Sequence, residues 1–153
     1  MEPQKLTNYF DDFSKQMEIW QLDINLSQEI FSKIFLNQFV DLPKHLTMQK
    51  LNEVLPFHLT LEGINDKNGF LNILSALPYK VSFDEQVLLI WDIKDPIDVC
   101  TIDTLKTFWN YIWYGASDEM LIIFIPGKVV LMICDWSEVR WQGLENLISS
   151  TTI

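Results

Sequence analysis

The chain has 153 residues, with 11 basic against 21 acidic side chains and a net charge of −10. With 48% apolar and 21% charged residues it has enough apolar material for one core, does not have the composition of a disordered chain, and suits a single domain, 1–153. The acidic balance argues against nucleic acid and anionic membrane surfaces, whose binders neutralise phosphates with Lys and Arg, and favours a basic partner or plain solubility.

Met1 to Lys15 is polar and lacks a basic start followed by an apolar run, so no secretory leader is expected. Leu6, Tyr9, Phe10, Phe13 and Met17 fall at helical spacing, with Trp20 following. A second helix is predicted from near Ser27 to about Val40. Ile30, Phe31, Ile34, Phe35 and Phe39 form its apolar stripe, and Pro43 lies just beyond its end. Thr47 is placed to cap a short helix through Val54, stopped by Pro56. Phe57, Leu59 and Leu61 alternate with His58, Thr60 and Glu62, the pattern of a half-exposed strand. Gly63 to Gly69 reads as a turn. Asp66 or Asn68 then caps a helix over Phe70 to Leu77, stopped by Pro78.

The second half reads as sheet plus one helix. Strands are predicted at Val87–Trp91 and Ile97–Cys100, with a turn over Asp92–Pro96. A helix over Thr104–Tyr114, capped by Thr101 or Asp103 and closed by Gly115, carries the stripe Leu105, Phe108, Trp109, Ile112, Trp113. Leu121–Ile125 and Val129–Cys134 flank Pro126-Gly127, and Val139–Trp141 adds a strand. Pro-Gly suits a two-residue hairpin poorly, which leaves the register open. Both flanking runs are apolar at every position, so each strand should be covered on both faces. N-terminal helices cover one face and the Thr104 helix the other; alternatively one face meets a partner or a second copy, making a homodimer. The fold expected is α+β, a helical N-terminal half packed on a mainly antiparallel C-terminal sheet.

No run approaches the roughly 20 apolar residues of a membrane helix. Cys100 and Cys134 are isolated thiols in apolar settings, which fits a reducing cytoplasm. The five glycines, at 63, 69, 115, 127 and 143, form no phosphate-cradling motif. His45 and His58 have no Cys or His companion at metal-ligand spacing. Asp92, Asp95 and Asp98 flank a turn containing Pro96 and read as solvated. There is no GxSxG elbow, the cysteines sit where a thiol is usually inert, and the acidic pairs Asp84/Glu85, Asp118/Glu119 and Asp135/Glu138 flank strands. The reading is a protein that is not an enzyme, with no cofactor and no metal.

What remains is aromatic and acidic. Five of the six tryptophans follow residue 90, and acids cluster near them. Tryptophan and tyrosine dominate binding hot spots, and acids at the rim steer a basic partner. The candidate partner-binding residues are Trp113, Tyr114, Asp118, Glu119, Asp135, Trp136 and Glu138. Trp113, Tyr114 and Trp136, at element ends, are the ones expected to be partly exposed.

The run Val87-Leu88-Leu89-Ile90-Trp91 is followed by an aromatic helix and then by Trp113-Tyr114-Gly115-Ala116-Ser117-Asp118-Glu119. An apolar strand and a final strand lead to Asp135-Trp136-Ser137-Glu138-Val139. This stretch, roughly Val81 to Trp141, resembles the small bacterial immunity proteins of polymorphic-toxin and contact-dependent inhibition systems. Those proteins often have Pro after the Tyr and His at the start of the final turn, where this chain has Gly115 and Asp135. The resemblance implies a cytoplasmic antidote that binds a toxin domain, and toxins that cleave nucleic acid are commonly basic at the active site. An acidic regulatory or scaffold module without a toxin partner is the alternative.

Overall fold

The computed structural model describes residues 18–35, 47–54, 58–61, 67–113, 119–126, 128–133 and 139–143. In chain order they form β1 (Trp20–Gln21), α1 (Ile24–Phe35), α2 (Met48–Val54), β2 (His58–Leu61), α3 (Lys67–Ala76), β3 (Gln86–Ile90) and β4 (Asp98–Thr101). Then come α4 (Ile102–Thr107), α5 (Trp109–Ile112), β5 (Met120–Phe124), β6 (Val129–Ile133) and β7 (Val139–Gly143). The strands make one seven-stranded sheet, β1-β4-β3-β5-β6-β7-β2. Every pairing in it is antiparallel. Helices on an antiparallel sheet make the fold α+β.

β5 and β6 are buried at every position, which is what their unbroken apolar sequence requires. Alternate side chains go to opposite faces. Met120, Ile122, Phe124, Val129, Leu131 and Ile133 join Val87, Leu89 and Cys100 under α3, α4 and α5. Leu121, Ile123, Val130 and Met132 join Leu88, Ile90 and Val99 under Phe31, Ile34 and Phe35 of α1 and Met48 and Leu51 of α2. Each such apolar side chain, fully buried, contributes about 1.5–3 kcal/mol of transfer free energy. α3 belongs to the first half of the chain yet packs on the same face as α4 and α5. The expected division, one half of the chain to each face, is corrected accordingly.

Local chemistry explains the element ends. α1 begins at Ile24, three residues before the expected Ser27, because Asp23 caps it: Asn25 N–H donates to Asp23 Oδ1 at 2.8 Å. Ser27 instead ties α1 to the sheet. Its Oγ donates to Asp23 O at 2.9 Å and accepts from the Ile97 N–H at 3.0 Å, and Leu22 N–H donates to Ile97 O at 2.9 Å. Thr47 caps α2 as expected, accepting from Lys50 N–H at 3.1 Å. Thr101 caps α4, accepting from Thr104 N–H at 3.1 Å, so the helix starts at Ile102.

The single helix expected over Thr104–Tyr114 is two. Phe108, at φ −109° and ψ 19°, separates α4 from α5. Beyond the break Trp109 lies flat on Phe70 of α3, with ring centroids 4.3 Å apart and planes 7° apart. The β5–β6 hairpin is also resolved. Phe124 pairs with Val129, so four residues make the loop, and Lys128 takes the left-handed conformation at φ 50°. The first predicted helix, residues 36–46 with Pro43, Pro56, Asp66, Gly115 and Cys134 lie outside the described residues.

Candidate functional site

The strand register sorts the loops into two ends of the sheet. Ile90 pairs with Leu121, Met120 with Ile133, and Ile133 with Val139. One end therefore gathers the 91–97 turn, Glu119 at the start of β5, and the chain ends at Ile133 and Val139. At the other end Gln86 pairs with Thr101, Val87 with Phe124, and Val129 with Gly143. That end gathers the 79–86 loop, the start of α4 and the 125–128 turn.

Of the seven residues chosen from sequence, the structure describes two, and both lead to the first end. Glu119 is half-buried there. Trp113, just after α5, is 3% exposed and belongs to the core, its ring 6.0 Å from Trp109. The expectation that it is partly exposed is corrected: the stripe Leu105, Trp109, Ile112, Trp113 faces the sheet through to its last member. Among the described residues, Trp113 Nε1 has no hydrogen-bond acceptor. Tyr114, Asp118, Asp135, Trp136 and Glu138 lie outside the described residues. The described neighbours Glu119, Ile133 and Val139 are at this end of the sheet. In sequence, 91–97, 113–120 and 133–139 carry six acids, Asp92, Asp95, Asp118, Glu119, Asp135 and Glu138, against one base, Lys94.

The 91–97 turn is built by Asp92, whose Oδ1 accepts from Lys94 N–H at 2.9 Å and whose carbonyl accepts from Asp95 N–H at 3.2 Å. Beside it the solvated reading of Asp98 is corrected: the side chain is fully buried, and Trp91 Nε1–H donates to its Oδ2 at 3.0 Å. Two residues along, the Cys100 thiol is pushed up to about 12, by burial first and by the Asp98 charge second. Such a thiol is no nucleophile at neutral pH. Among the described residues no three His, Cys, Asp or Glu side chains converge as a metal site would require. Nor is any helix there long and apolar enough to cross a membrane.

The second end holds what sequence reasoning missed. Leu71, Leu74 and Ser75 of α3 and Tyr79, Lys80, Val81 and Phe83 line an open groove of about 570 Å³. The loop forming its wall is rigidly tied. Glu85 accepts from the Tyr79 hydroxyl at 3.1 Å and from Ser82 N–H at 3.0 Å, and its carbonyl accepts from Ile102 N–H at 2.9 Å. Burial and the neighbouring Glu85 raise the Tyr79 phenol well above its ordinary range. Asp103 N–H donates to Phe83 O at 2.8 Å, and Lys106 Nζ sits 4.0 Å from the Phe83 ring centroid while pairing with Asp103 at 2.7 Å. Phe83 is still 48% exposed. The signal available in sequence was an aromatic set in the polar run Ser82-Phe83-Asp84-Glu85, where no apolar periodicity accounts for it.

Comparison of the chain with protein-family models, curated proteins and solved structures gives no match.

Proposed function

We propose that the chain is a non-catalytic immunity protein that binds and neutralises a basic bacterial toxin domain through its acidic sheet end. The observation that carries this reading is the register. It brings Glu119, the Asp92–Asp95 turn and both limits of 134–138 to one end of a rigid sheet. Carboxylates concentrated there would attract a basic surface over a Debye length and speed encounter. The resemblance of Val81–Trp141 to immunity proteins supplies the partner class. The reading takes the protein as cytoplasmic, as one domain, and with a mainly helical N-terminal half lying on the sheet.

The test is a tagged pull-down from the source bacterium at low and high salt, followed by inhibition of the captured domain. The expected result is one basic toxin domain, silenced at equimolar ratio. Glu119→Lys combined with Asp92→Lys should slow association at least about tenfold at low salt and much less at high salt. A cellular partner with no toxic activity would replace this reading with the regulatory-module alternative.

A further inference from the structure

We propose that the opposite end of the sheet, around Phe83, is the surface on which two copies of this chain associate. Phe83 and Ile125 are 48% and 50% exposed, two of the four large apolar residues most open to solvent among the described residues. The register sets both at this end, since Ile125 follows Phe124 opposite Val87, and Phe83 precedes β3 by three residues. Tyr79 links them: it lines the groove with Phe83, and its ring lies 6.4 Å from Phe124, edge-on. Phe83 is held by a backbone bond on one side and a lysine over its ring, so little rotamer freedom remains to be lost on contact.

Charge selects the occupant. A chain of net −10 repels its own copies through most surfaces. The described segments framing this end, 79–86, 102–106, 124–129 and 18–20 leading into β1, carry Lys80, Lys106 and Lys128 against Glu18, Asp84, Glu85 and Asp103. Cations and anions mixed on an apolar patch suit a two-fold interface, because each copy then offers its partner both signs. Association there also leaves the two acidic ends pointing away from each other.

Sedimentation velocity of the full chain over about 1 to 500 µM reads this directly, since micromolar constants fall in that range. The expected result is a reversible dimer. Phe83→Asp and Ile125→Asp should each weaken it at least about tenfold. Trp20→Asp, an exposed residue on the β1 edge, should leave it unchanged. Circular dichroism confirms that each variant is folded. A wild-type chain that stays monomeric throughout overturns the proposal, and so does a dimer that survives both Phe83→Asp and Ile125→Asp. The outcome is independent of toxin binding, which the acidic-end variants read separately.

Discussion

Trp113 shows how a buried side chain can be held by packing against the preference of its own polar atom. Its ring sits 6.0 Å from Trp109 in the core, while its indole N–H finds no acceptor among the described residues. Burying such a donor costs about 1–3 kcal/mol. Trp113→Phe removes that cost but leaves a void of similar cost, so urea denaturation should find it within about 1 kcal/mol of wild type. Trp113→Ala should lose about 3–5 kcal/mol. Cys100 makes a second residue-scale prediction. With its pKa moved from 9.0 to about 12, the native thiol stays neutral where the unfolded chain's thiol ionises. The unfolded state then binds fewer protons, so this group's contribution to stability is intact below pH 9.0 and falls as pH rises towards 12. Iodoacetamide at pH 8 should leave Cys100 unmodified in the native protein and alkylate it in denaturant, as peptide mass spectrometry would show. Labelling at equal rates in both states would contradict the burial.

Single hydroxyls decide where helices begin. Thr101 Oγ1 caps α4 where the strand β4 turns into a helix, and Thr101→Ala should cost about 1 kcal/mol in thermal or urea unfolding. Thr47→Ala should cost a similar amount through α2. A change smaller than a few tenths would mean that packing alone sets those starts. Thr47, Pro78 and the Asp92 turn carry local chemistry, so they announce themselves in sequence. The break at Phe108 does not, because Trp109 just beyond it stacks on Phe70, a residue of a different helix outside any local window. Nor does β1: two residues with no alternating pattern become a strand because Ser27 and Leu22 fasten this stretch to Ile97.

At the scale of the molecule the sheet has two ends of different character, one with Asp92, Asp95 and Glu119 and one apolar with mixed charge. Asp92, Asp95 and Glu119 were visible in sequence, but that the 91–97 turn meets the start of β5 depends on register, which unbroken apolar strands do not encode. The groove of the second was hidden because its lining joins Leu71 and Leu74 of α3 to Tyr79 and Phe83 of the loop that follows, residues with no shared periodicity. Deleting the exposed aromatic with Phe83→Ala should change folding stability by less than about 0.5 kcal/mol beyond the small loss of its contact with Lys106, as for most surface positions. A loss of several kcal/mol would make Phe83 a core residue. The hairpin of β5 and β6 is ten strand residues of unrelieved apolar sequence, the kind that aggregates when left bare. All five described helices lie before Met120 in the chain. During synthesis the ribosome therefore releases both covers, α1 and α2 for one face and α3 to α5 for the other, before the segment that most needs shelter.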